Sequence, residues 1–167
     1  MTPEGKKRAD LRAAEQRETQ LGHPHADSWE DRPLQERCIV GLNAGPPMTP
    51  GAYNNNMQLF QTPEHVVIHT EMVHDARIVH LGGSHPPQSL RTWMGDSIGH
   101  WEGDTLVVET TNIRREEGLR GPEENMTVIE RFTRVSAQQI LYQFEVVDPQ
   151  TFSAPVKGEE SLNFTKD

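Results

Sequence analysis

From Met57 onward, apolar and polar residues alternate with a period of two, in short runs rich in Val, Ile, Thr, Phe and Tyr. A strand shows successive side chains to opposite faces, so this alternation predicts half-buried β-strands. The runs are 57–62, 65–71, 76–81, 98–101, 105–111, 127–135, 139–147 and a weaker one at 161–165. Glu102-Gly103-Asp104, Ser136-Ala137-Gln138 and His74-Asp75 fit hairpin turns between them. Sequential hairpins of this number predict an all-β fold, an antiparallel up-and-down (lipocalin-like) barrel of about eight strands, because closure removes exposed edges. A two-sheet sandwich is the structural alternative. The longer connections 82–91 and 112–125 are expected together at one mouth.

Ahead of the strands the pattern changes twice. Residues 1–20 read as a helical arm: Thr2 suits the N-cap, Pro3 the first helical position, and strong helix formers follow. Its apolar face is little more than Leu11 and nearby alanines, which predicts a peripheral element. Residues 21–56 are broken throughout by Gly and Pro, among them Gly41, Gly45, Pro46, Pro47, Pro50 and Gly51. So long an irregular stretch is unusual inside a compact domain. It is expected to wrap the strands, held by Trp29, Leu34, Cys38, Ile39, Val40 and Tyr53. The arm 1–20 and a single domain 21–167 make up the expected organisation.

Composition narrows the function. A length of 167 residues suits one domain with a core of its own, and the low hydrophobic share, 34%, places part of the chain outside that core. With 16 Lys and Arg against 25 Asp and Glu, the net charge is −9. A surface of that sign with only scattered basic pairs argues against nucleic acid and anionic membranes. The single cysteine, Cys38, excludes an internal disulfide framework and reads as a small buried apolar residue. No apolar run approaches the roughly 20 residues that span a bilayer. The first twenty residues contain no apolar h-region, so a soluble chain without a signal peptide is expected.

The densest chemistry is HTEMVHDARIVH, His69 to His80. Glu71-x-x-His74 has the spacing of di-iron bundles, but that site needs a second copy and a helix. His65-x-x-x-His69 lacks the glutamate after its first histidine that a zincin requires. No metal and no cofactor are therefore expected. As a strand, His65, Val67, His69 and Glu71 share one face and Val66, Ile68 and Thr70 the other. Either face could point inward. At the turn beyond, His74 suits a general acid/base, Glu71 or Asp75 its orienting carboxylate, and Arg77 an electrostatic stabiliser. The alternative is a surface ion-pair turn.

Tyr53, Asn55, His69, His100, Trp101, Glu109 and Arg131 are candidate pocket-lining residues. Trp101 reads as core first and ligand contact second. The asparagines at 54–56 read first as turn formers, and Asp96 and Glu109 as partners for His100 or Arg131. In the late hairpin, Val128, Glu130, Phe132 and Arg134 share a face, while Ile140, Tyr142, Phe144 and Val146 form the clearest core face.

PEHVVIHTEMVHDARIV, SIGHWEGDTLVVETTNI, VIERFTRV and LYQFEVVDP resemble a large family of uncharacterised, often exported bacterial proteins. The likeness covers roughly residues 31–155 and is most specific at GHWEGDTLVV. Glu71, His74, Asp75, Arg77, His100, Trp101, Glu102, Gly103 and Asp104 match its pattern. The resemblance implies a shared fold unit and export to the periplasm or medium, and no particular reaction.

Two functions follow as expectations. One is a small cofactor-free barrel enzyme using His, carboxylate and Arg for proton transfer on a small organic molecule, as a lyase, isomerase or cyclase. The other is a non-catalytic barrel binding a small molecule, and a homodimer fits either. Convergence of Glu71, His74 and Arg77 on one cavity favours the enzyme, an apolar cavity favours the carrier, and a filled interior favours a module that packs on a partner.

Overall fold

The computed structural model describes residues 1–20, 29, 32, 34–41, 43–114 and 125–165. A helix α1 (Pro3–Gln20) precedes eight strands: β1 (Met57–Gln61), β2 (His65–Thr70), β3 (Ala76–Leu81), β4 (Asp96–Glu102), β5 (Thr105–Thr111), β6 (Thr127–Ser136), β7 (Gln139–Val147) and β8 (Val156–Asn163). They form one sheet in chain order. Every pairing is antiparallel except that of β3 with β4, which is parallel. β1 and β8 do not pair, so the sheet is a mixed half-barrel and not the closed up-and-down barrel expected from sequence.

The parallel step gives the half-barrel two unlike ends. The tight turns β1–β2, β4–β5 and β6–β7 lie at one end. There Gly103 takes φ +60° to reverse the chain between Glu102 and Thr105. The β2–β3 reversal and the connections after β5 and β7 lie at the other. The crossover 82–95 must run from one end to the other, and it meets the start of the connection 112–125, with Asn112 Nδ2 donating to Pro86 O at 3.0 Å and Arg114 N–H to Thr92 O at 2.9 Å. Most of that second loop, 115–124, lies outside the described residues.

The apolar face of each strand turns to the concave side. Val66, Ile68, Val79, Leu106, Val108, Phe132 and Tyr142 meet there, joined by Met48 from the irregular segment before β1. Full burial of one such side chain contributes about 1.5–3 kcal/mol. Ala44 and Val40 are buried too, so the segment wraps inward and covers concave surface that a closed barrel would cover with its own far wall. Trp29 and Tyr53, expected to hold it, are mostly exposed.

Cys38 is also exposed, against expectation, and local geometry explains it. Residues 34–39 close with Ile39 N–H donating to Leu34 O at 2.9 Å and Cys38 N–H to Gln35 O at 3.1 Å, the paired bonds of a Schellman motif. Cys38 holds the left-handed position, φ 53°, where glycine is usual, and its side chain is left outside.

The helix is tethered at its first turn. The Thr2 hydroxyl accepts from Gly5 N–H at 3.0 Å as an N-cap, and Thr2 N–H donates to Thr151 O at 3.0 Å. A Cβ on Gly5 would lie 2.3 Å from Thr151 O, so only glycine allows this approach. Leu11 is exposed, in keeping with a thin apolar face. Among the described residues no helix is long and apolar enough to cross a membrane.

Candidate functional site

β2 answers which way its ionisable face points. Val66, Ile68 and Thr70 are buried on the concave side, which leaves His65, Val67 and His69 on the convex side. The strand register explains the choice, since Val66 lies opposite Val79 and Ile68 opposite Arg77, both buried. His65 and His80 face each other across β2 and β3 with ring centroids 5.0 Å apart, an edge-on aromatic pair.

The reversal that follows is tight. Val73 and His74 have φ 60° and 58°, and Asp75 N–H donates to Met72 O at 3.4 Å. Left-handed backbone is costly for a β-branched residue. Its neighbours hold the turn in place. Met72 is buried against Gly41, where a Cβ would come within 2.4 Å of the Met72 side chain, and Gly41 N–H donates to Asp75 Oδ2 at 2.7 Å. Burial pushes the Asp75 carboxyl above its ordinary range, and the Gly41 hydrogen bond offsets only part of that.

The four residues proposed for catalysis therefore separate. His74 is exposed and no described residue hydrogen-bonds its ring. Glu71 is engaged by Asn56, whose Nδ2 donates to its Oε2 at 2.9 Å. Asp75 holds Gly41. Arg77 is 3% exposed and turns into the core, where Glu130 on β6 takes it in a two-pronged pair: Nη1 to Oε2, and Nη2 to Oε1 at 2.9 Å. Tyr142 donates to the same Oε1 at 2.7 Å and accepts from Met48 N–H at 2.9 Å.

β3 and β6 are three strands apart, roughly 14 Å along a flat sheet. Only the curl lets Arg77 and Glu130 meet. Burial lowers the tendency of Arg77 to hold its proton, but the Glu130 charge and hydrogen bonds outweigh it, so the guanidinium stays charged. Burial and the Glu130 charge push the Tyr142 phenol far up, so it remains a donor. Both Arg77 Nη groups, the Glu130 carboxylate and the Tyr142 hydroxyl engage one another, and of this network the Arg77 Nε–H alone is buried without a partner among the described residues. The network ties the wrapping segment to three strands.

Of the expected lining residues, Asn55 is a turn former, its Oδ1 accepting from Gly51 N–H at 2.7 Å and its Nδ2 donating to Gly51 O at 3.0 Å. Tyr53 is exposed nearby. His69, His100, Glu109 and Arg131 lie on the convex face. There Glu102 joins His100 Nε2 at 3.2 Å and Arg131 Nη1 at 2.8 Å, and its carboxyl is lowered by Arg131 first and His100 second.

Asp96 and Glu109 do partner a histidine, but it is His85 of the crossover: Nδ1 lies 2.6 Å from Asp96 Oδ2 and Nε2 3.2 Å from Glu109 Oε1. Both ring nitrogens are engaged by carboxylates of β4 and β5. His85 is thus a clamp. An open groove of about 440 Å³ on the same face, between Arg131 and Lys157, is lined by polar groups already engaged: Glu145 with Lys157 at 3.1 Å, Glu159 with Gln143 at 3.3 Å and Arg131 with Glu102 at 2.8 Å.

Trp101 departs from its expected place in the core. It shares the concave face with Leu106, its cross-strand neighbour, which is buried, yet it is 46% exposed. It lies at the end with the tight turns, where Leu81, Ile140 and Leu162 on the same face are also only partly covered. Glu130 as partner of Arg77, Tyr142 and Met48 as members of the same network, and His85 as partner of Asp96 and Glu109, were missed in the sequence. A signal existed for the first: Glu130 is a charge set between Val128 and Phe132 on the apolar face of its strand, as Arg77 is the one charge beside Val79 and Leu81 on its own.

No protein-family model, curated protein or solved structure matches the chain.

Proposed function

We propose that the protein is a non-catalytic binding half-barrel that takes a small, mainly apolar organic molecule against the end of its concave face that the described residues leave uncapped. Trp101 carries this reading, because an indole on the core side of β4 stays half exposed where the core's apolar surface runs out to solvent. Leu81, Ile140 and Leu162 continue that surface, and Arg134, exposed on the same side of β6, offers one charged group at its margin. A mainly apolar lining with few polar groups is the usual make-up of a small-molecule site. The proton-transfer alternative has less support, since Glu71, His74, Asp75 and Arg77 have no common space.

Titration with N-phenyl-1-naphthylamine, followed by its fluorescence, tests the proposal. Saturable enhancement is expected, weakened about tenfold or more by Trp101→Ala, a loss of roughly 1.4 kcal/mol. His74→Ala should bind as wild type does. Absence of saturable binding, or loss of binding in His74→Ala alone, would overturn it.

A further inference from the structure

We propose that β1 is a self-association edge: two copies of this chain pair their β1 strands antiparallel about a two-fold axis through Leu59, joining two half-barrels into one continuous sheet. The hydrogen bonds flanking β1 decide which of its backbone groups are free. Glu71 N–H donates to Asn56 O at 2.9 Å and Thr62 N–H to His65 O at 2.8 Å. In an antiparallel ladder, bonded pairs alternate with non-bonded ones, so Gln58 and Phe60 also face β2. Met57, Leu59 and Gln61 then direct their N–H and C=O groups outward, and no described residue meets them.

The two edges of the sheet are not alike. β8 carries Lys157, Glu159 and Glu160, the kind of charge by which natural sheets discourage edge pairing. β1 reads Met-Gln-Leu-Phe-Gln, with no charge and no proline, and its pairing with β2 shows no shift of register. On a chain of net charge −9 this is an edge where two copies can approach without opposing like charges.

The strand is also self-complementary. Centred on Leu59, the antiparallel register sets Leu59 opposite Leu59 and Met57 opposite Gln61, and each of these pairs exchanges both main-chain bonds. Gln58 falls opposite Phe60 in the closer, non-bonded pairs, which brings the two Phe60 rings within diagonal reach on the convex face. Phe60 is 52% exposed in the single chain, and Leu59 39%. Beyond the strand, Glu64 falls opposite Asn54, so no acidic pair is created. The contact is isologous and therefore closes at two copies, whereas pairing β1 of one copy with β8 of the next would build an open filament.

Sedimentation equilibrium of the full chain tests the edge. The expected mass is twice 18.9 kDa, falling to the single-chain value in Leu59→Pro. Proline removes only an outward N–H there and is tolerated on edge strands, so an unchanged circular dichroism spectrum should accompany the fall. A second measurement reads the register without relying on that variant. In a Cys38→Ser background, Leu59→Cys should form a disulfide-linked dimer on mild oxidation, because directly bonded pairs sit about 5.5 Å apart at Cα. Gln61→Cys should not, its two copies lying roughly 13 Å apart along the strands. A wild-type monomer at every concentration, a dimer that survives Leu59→Pro, equal cross-linking at both positions, or growth into polymers would each overturn the proposal.

Discussion

Removing the Glu130 carboxylate would leave the Arg77 guanidinium charged and unpaired inside the sheet. Breaking such a pair from one side costs about 3–5 kcal/mol, while replacing both partners with apolar groups of similar volume is often neutral or better. Urea unfolding should therefore show Glu130→Ala strongly destabilised and Arg77→Met/Glu130→Leu close to wild type. Arg77 has an added reason to be dispensable, since its Nε–H is buried without a partner among the described residues.

Asp75 gives the opposite sign to an ordinary paired carboxylate. Its folded form holds the proton more tightly than the unfolded chain, whose reference value is 3.8. Its contribution to stability is thus complete below that value and is lost as pH rises through the higher folded one. Asp75→Asn should melt no lower than wild type at pH 7, with the difference shifting in favour of wild type on acidification; a variant that loses stability only near neutrality would contradict this. Arg77 was legible in the sequence as a residue of interest, but its partner was not. Strand periodicity assigns faces, and the meeting of β3 with β6 depends on curl.

The strands themselves were legible, β8 least well, because Val, Ile, Thr and aromatic residues at period two leave little choice of face. Direction was not. Nothing in the alternation distinguishes a crossover from a wide hairpin, so the parallel entry of β4 after residues 82–95 went unread. That crossover is pinned at its ends: His85 clamps to Asp96 and Glu109, and Thr92 N–H donates to Asn112 O at 3.1 Å. His85→Ala should leave the melting curve nearly unchanged while limited proteolysis cuts 82–95 faster; unchanged cleavage would deny the clamp.

The β2–β3 reversal was expected at the right place, yet its conformation was hidden, since two left-handed residues normally announce themselves as Asn-Gly. Val73→Gly should relieve that backbone and stabilise the protein by about 1 kcal/mol in urea unfolding. A destabilised variant would mean that the valine side chain matters more than its backbone.

Across the molecule, the described residues leave the core-side surface only partly covered at the end with the tight turns, at Trp101, Leu81, Ile140 and Leu162. The number of strands and the N-terminal helix were readable from the chain. Closure was not, because it depends on whether β1 and β8 meet, and here Met48 of the wrapping segment packs into the concave core and bonds Tyr142. The tryptophan expected in the core sits at that end for the same reason: with β1 and β8 unpaired, no described residue fully covers the last core-side position of β4. The binding proposal rests on that end, and NMR maps it directly. In a titration of isotope-labelled protein with N-phenyl-1-naphthylamine, shifts should centre on the Trp101 indole and the methyl groups of Leu81, Ile140 and Leu162, with Val128 and Val146 unmoved. Shifts centred instead on the turn at Val73 and His74, or none at saturation, would contradict it.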